Sequence, residues 1–285
     1  TFRLGMSSWL LAEMKGLDVG KSIRIALSHD LCEVYAGDMT PFSYYTNLPK
    51  GKDEKAALKK WVRLSRKEKK RRGKLKLKKE KEGLEKLIKN LPPKIRKEIL
   101  LRWTDYERRL SPEGMFVKQI DRIETLLQSI EYFGTKETRG GTSWWEGTEE
   151  IVEDPLLLEL LEVIQKKFYG KEIKESANTK RLEKILDFLL DIGKLKRTPR
   201  LYWVAREVKE PESVASHLFI LAIMAWVFGI QQKRYNVERL LKMALCHEVS
   251  AVYAGDITRY NKIWVNDKES GKEELDKWVR LSKKE

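Results

Sequence analysis

Four side chains within ten residues are the first candidates for chemistry: His29, Asp30, Glu33 and Asp38, in the segment ALSHDLCEVYAGDMT from Ala26 to Thr40. An imidazole beside a carboxylate suits a borderline divalent metal; manganese, cobalt and magnesium are the candidate ions. Glu33 lies four residues after His29 and three after Asp30, so on a helix it projects from the same face. Gly37 lets the backbone turn, so that Asp38 returns a second carboxylate. A divalent ion ringed by carboxylates is a hydrolytic arrangement. Taken alone, a His-Asp dipeptide is weak evidence for a metal ligand pair, and its neighbours make the case.

The segment occurs twice. Ala244 to Thr258 reads ALCHEVSAVYAGDIT, identical at nine of fifteen positions. The second copy keeps His247 but has Glu248 where Asp30 stands and Ala251 where Glu33 stands. Glutamate still has a carboxylate to offer a metal, whereas alanine has nothing with which to activate water. The repeat extends further: KWVRLSRKE at 60–68 returns as KWVRLSKKE at 277–285, and Phe2 and Trp9 return as Phe219 and Trp226. Its period is far longer than that of a solenoid. The expected organisation is a first unit over residues 1–172 without its leading helices, a linker at 173–179, and a second unit over 180–285 without its closing helices. The unit is thus duplicated or circularly permuted.

The elements that must position these residues read as helices. Asp18 is placed to cap a helix with Ile23, Ala26, Leu27, Leu31 and Val34 on its buried face. Phe116, Val117, Ile120, Ile123, Leu127 and Ile130 recur at three- and four-residue spacing, with Asp121 beside the stripe. Pro41 to Gly51 and Gly134 to Gly147 read as loops, and Tyr169 to Lys180 as the connection between units. Ser213 opens a helix on which His217 shares a face with Leu221, Met224, Ala225 and Phe228, which predicts a buried imidazole. Trp9, Trp226 and the methionines read as core. Trp144-Trp145 reads as a structural loop. The fold class is all-α.

Composition bounds the partners. Of 285 residues, 41% are hydrophobic and 35% charged, and the net charge is +15. The longest apolar run, 218–230, is too short to span a bilayer. The N-terminal residues lack the pattern of a secretory signal. Cys32 and Cys246 have no zinc-ligand spacing and read as buried thiols in a reducing compartment, with the cytoplasm as the expected location. Residues 66–81 hold eleven Lys or Arg against two Glu. Such a run binds phosphate backbones in some proteins but is more often a solvated helix face.

Four segments together resemble the HD-domain 5′-deoxynucleotidases: PESVASH (211–217), HDLCEVYAGD (29–38), FVKQIDRIE (116–124) and LKRTPRLYW (195–203). The resemblance implies an HD-domain helical bundle, a homodimer, and hydrolysis of nucleoside 5′-monophosphates to nucleoside and phosphate. It implies His217, His29, Asp30 and Asp121 as metal ligands, Glu33 as the residue that activates water, and Asp38 as the carboxylate that assists the leaving oxygen. It implies Arg200 as the holder of the substrate phosphate, with His247 and Glu248 as second-copy candidates. Two other readings stay open on the sequence: a catalytically inactive HD module that binds nucleotides or a partner, and a nucleic-acid-binding protein using residues 66–81.

Overall fold

The computed structural model describes residues 1–38, 65–135 and 141–256. The expected loop at 41–51 and the repeated segment at 277–285 lie outside them. Among the described residues every regular element is helical, and the strand-like contact is a single bridge between Pro199 and Ser213.

The first helical pair is α1 (Phe2–Lys15) and α2 (Val19–Ser28). The turn between them needs Gly16 at φ 73°, and Asp18 caps α2 by accepting a hydrogen bond from the Lys21 amide at 2.7 Å. Helix α2 ends sooner than its apolar stripe predicts. The chain turns over residues 29–32 before a single helical turn, α3 (Glu33–Ala36), closed by Gly37 at φ 74°. That turn rotates the stripe out of register, and Val34, expected in the core, is 65% exposed.

Three long helices follow: α4 (Arg66–Ile88), α5 (Pro93–Arg108) and α6 (Pro112–Phe133). The basic run forms the first 16 of the 23 residues of α4, with Lys76, Lys78 and Lys81 each paired one turn on with Glu80, Glu82 and Glu85. Next comes α7 (Gly141–Glu149), a helix inside what the sequence reads as loop. Its two glycines oppose helix formation, but Trp145 gains a ring contact and a hydrogen bond at Tyr169. Tertiary contact overrides propensity there.

Helix α8 (Pro155–Tyr169) ends at Gly170, φ 67°, and α9 (Ala177–Gly193) starts from a Ser176–Thr179 capping box. The expected connection is therefore non-helical only up to residue 176. After a 3-10 turn (Lys194–Lys196) come α10 (Leu201–Ala205), α11 (Val214–Gly229), α12 (Val237–Cys246) and α13 (Ala251–Ala254).

Two apolar clusters hold these helices. One joins α1 and α2 (Phe2, Met6, Ile23, Leu27) to their repeats in α11 and α12 (Leu218, Trp226, Leu241, Leu245). Gly5 is the point of close approach, with Leu245 methyl carbons 3.7 Å from where its Cβ would be. The other puts the opposite face of α1 and α2 (Leu4, Leu11, Ile25) against α6 and α8. Each large side chain fully buried contributes on the order of 1.5–3 kcal/mol. Trp9 is only partly covered and Trp226 is fully buried.

The methionines divide. Met6 is buried, whereas Met115, Met224 and Met243 are exposed, against the expectation of core. The face of α11 expected to be buried is instead half open: Phe228 is 61% exposed and His217 is only partly covered. Likewise Cys32 is buried and Cys246 is exposed.

Candidate metal centre

His29 caps the C-terminal end of α2 and is buried there. Its Nδ1 lies 2.8 Å from the Ala26 carbonyl, which accepts a hydrogen bond from it. This fixes the ring, and Nε2 then faces two carboxylates: Asp30 Oδ2 at 2.7 Å and Asp121 Oδ1 at 3.6 Å. A histidine that donates from one nitrogen to a carbonyl and presents the other to carboxylates is oriented as a metal ligand. Burial pulls the imidazole pKa down, but the Asp30 hydrogen bond and the charges of Asp30 and Asp121 outweigh it, and the net shift is upward. The same environment that favours a proton on Nε2 favours a cation in its place.

Asp121 reaches this point from the middle of α6. Tyr106, on α5, donates its hydroxyl to Asp121 Oδ2 at 2.6 Å and lays its ring 5.0 Å from that of His29. Tyr106 is buried, and burial together with the Asp121 charge raises its pKa well above the usual phenol value. It therefore stays a donor at any working pH. Thr1 Oγ1 adds a long bond, 3.4 Å, to Asp30 Oδ2. One turn further along α6, Glu124 meets the fully buried Arg3 at 3.0 Å and Lys196 at 2.7 Å, and Arg3 also binds Glu131. These ion pairs tie the helix that carries Asp121 to α1.

Glu33 opens α3, partly buried. Burial first, then the charges of Asp30 and Asp38, push its carboxyl up to about 7. A carboxylate tuned to neutrality is suited to exchange protons with water. Asp38 follows Gly37 at the exposed end of the described segment.

His217 lies in a second group. It stands with His247 and Glu248, and the three ligand atoms fall within 4.8 Å of one another. The two imidazole centroids are 5.6 Å apart. His247 repeats the His29 geometry, its Nδ1 2.9 Å from the Ala244 carbonyl. Arg200 also belongs here: it binds Glu248 and lies 3.5 Å from Asp256, which accepts the Leu201 amide at 2.6 Å. Arg200 Nε is buried without a hydrogen-bond partner. The side chain of His247 is 37% exposed against 4% for His29, so the second group is the more open. Two surface concavities, of about 360 and 340 Å³, are lined by none of these residues.

Of the residues singled out in the sequence, the structure thus brings His29, Asp30 and Asp121 together, and it gathers His217, Arg200, His247 and Glu248 elsewhere, beside Asp256. Tyr106 was not legible as a site residue. Its signal, a tyrosine in a helix adjoining the Asp121 stripe, is too common to single out. Arg3 was equally hidden, because a lone arginine in an apolar stretch reads as surface.

Among proteins of known family, residues 1–148 and 192–283 match the HD domain. Human 5′-deoxynucleotidase HDDC2 is 39% identical over 95 residues, covering 33% of this chain and 46% of that protein. The zebrafish (Danio rerio) 5′-deoxynucleotidase HDDC2 is 36% identical over 101 residues, covering 35% and 48%. 5′-Deoxynucleotidase YGK1 of Saccharomyces cerevisiae is 34% identical over 131 residues, covering 46% and 50%. The chain spans about half the length of the curated relatives it matches. No solved structure matches it. The HD-domain match takes in both histidine groups and most of the chain around them, and the chain belongs to the HD domain family.

Proposed function

We propose that this protein is a metal-dependent phosphohydrolase that releases phosphate from nucleoside 5′-monophosphates, deoxyribonucleotides foremost. The HD domain implies a divalent metal ion; we assign it to His29, Asp30 and Asp121, with manganese, cobalt or magnesium as the candidates. One observation carries the reading: His29 Nε2 faces both carboxylates while Glu33, nearby in the field of Asp30, is tuned to about 7. Relatives named 5′-deoxynucleotidase supply the substrate class.

An ion held by His29, Asp30 and Asp121 would supply Lewis-acid chemistry at the phosphoryl group and lower the pKa of water. Glu33 takes the proton of the attacking water as the new P–O bond forms. Asp38 gives a proton to the 5′-oxygen as the old P–O bond breaks, so that nucleoside and phosphate leave balanced. Arg200 binds the phosphate with its guanidinium fork. In this chain Arg200 and His217 stand with the second group. We therefore infer that they serve the first centre across a contact between units, in a homo-oligomer such as a dimer. The two units, 1–172 and 180–285 joined by 173–179, are taken as repeats of one plan. With Ala251 in place of Glu33, the second group is read as a binding rather than a turnover site.

The nucleic-acid reading has less support, since Arg71, Arg72, Lys76, Lys78 and Lys81 of α4 are paired along the helix with Glu68, Glu80, Glu82 and Glu85. No helix among the described residues is long and apolar enough to cross a membrane. We place the protein in the cytoplasm. Phosphate release from a panel of deoxyribo- and ribonucleoside 5′-monophosphates, with each metal against EDTA, tests the reading. Metal-dependent release that favours deoxyribonucleotides is expected. No release with any metal would leave an inactive HD module.

A further inference from the structure

The internal repeat offers a comparison within one molecule, because the same helical face occurs twice in different surroundings. In the first copy that face comprises Arg3, Ser7 and Leu11 on α1 and Ile25 on α2, all buried. Leu11 and Ile25 belong to the apolar cluster that includes Phe116, Ile120, Ile123 and Leu127 of α6. By the repeat register their counterparts are Ile220, Met224 and Phe228 on α11 and Met243 on α12. These are 52%, 48%, 61% and 56% exposed. Four large apolar side chains on adjacent helices, none of them charged, form a contiguous patch of the kind that marks an interaction surface.

We propose that the α11–α12 face is a docking surface for an amphipathic helix of the α6 type. The occupant is specified by what α6 does in the first copy and by one difference between the copies. There, α6 lies across α1 and α2 with an apolar stripe, and its Asp121 reaches His29. A helix in the same register on α11 and α12 brings its own carboxylate to His247. The difference lies at Arg3. In the first copy this buried guanidinium pairs with Glu124 and Glu131 of α6. Its counterpart is Ile220, which cannot receive either acid. Burying an unpaired carboxylate against isoleucine is strongly disfavoured. The helix that fits therefore has apolar residues at the positions of Glu124 and Glu131 while keeping the stripe and the aspartate. Replacement of Ser7 by Met224 extends the same logic, since a thioether fills an apolar interface that a hydroxyl would not.

The test uses the full chain and a synthetic peptide spanning Ser111–Phe133 with Glu124→Leu and Glu131→Leu. The readout is the rate at which peroxide oxidises Met224 and Met243, resolved by mass mapping, with buried Met6 as the slow reference. Saturating peptide is expected to slow both methionines about tenfold or more. The unsubstituted peptide should bind at least about tenfold more weakly, and Phe228→Glu in the chain should abolish protection. Phe228 lies three turns along α11 from His217, and circular dichroism checks that the variant is folded. Two results overturn the proposal. One is unchanged oxidation of Met224 and Met243 with the substituted peptide at millimolar concentration. The other is a chain that alone forms a dimer in sedimentation and becomes monomeric on Phe228→Glu, which would make a second copy the occupant.

Discussion

Replacing Glu124 by Gln tests how the centre is held together. Glu124 is largely buried on α6, one turn after Asp121. Burial raises its pKa, but Arg3 and Lys196 outweigh that, and the net result is about 2 instead of 4.5. A carboxyl held below its unfolded value contributes stability that is fully present above pH 4.5 and lost as pH falls through about 2. That drop of 2.5 pH units, at about 1.4 kcal/mol each, is worth about 3 kcal/mol. By the same linkage about 2 kcal/mol of it is gone at pH 3. Urea unfolding of both proteins should show Glu124→Gln destabilised by about 3 kcal/mol at pH 7, and the gap should narrow to about 1 kcal/mol at pH 3. A gap below about 0.5 kcal/mol at pH 7, or one that does not narrow with acid, would refute the reasoning. The ion pairs would then be geometry without consequence, and α6 would owe its place to the apolar stripe alone.

Tyr106→Phe removes the 2.6 Å hydrogen bond to Asp121. It should weaken divalent-ion binding about 10- to 100-fold by titration calorimetry while the fold is kept. Gly114→Ala puts a Cβ 2.3 Å from the buried Asp105 Oδ1, so thermal unfolding should report a loss of about 1–3 kcal/mol or more. The two thiols should differ sharply in alkylation. Exposed Cys246 should be modified in the native protein, whereas Cys32, buried and with a pKa raised by burial and by Glu80 to about 12, should react only after unfolding.

What the sequence makes legible follows from how local each cause is. His29 and Asp30 are neighbours, and Asp121 sits beside a strong helical stripe in a segment that carries the family resemblance, so three members of the first group can be named from local sequence and that resemblance. Caps at Asp18 and Ser213 are equally local and occur as expected. The rest depends on contacts between distant elements. The break after Ser28 is not signalled by a glycine or proline, so the apolar pattern runs on to Val34 while the backbone does not. The helix at Gly141–Glu149 depends on Trp145 meeting Tyr169. The open face of α11 is invisible in its composition, because Leu221, Met224 and Phe228 look alike whether or not another helix covers them. The grouping of His217 with His247 follows from α11 and α12 lying side by side, an arrangement that the repeat alone leaves open.

The most direct test of the central claim pairs turnover with metal content in Glu33→Ala. Glu33 is assigned as the proton acceptor and not as a ligand. Phosphate release from deoxyribonucleoside 5′-monophosphates should therefore fall about 10²- to 10⁴-fold, with the ion retained at the stoichiometry of the unsubstituted protein. Turnover that survives the substitution, or is indifferent to EDTA, would contradict the assignment of the reaction to the His29, Asp30 and Asp121 centre.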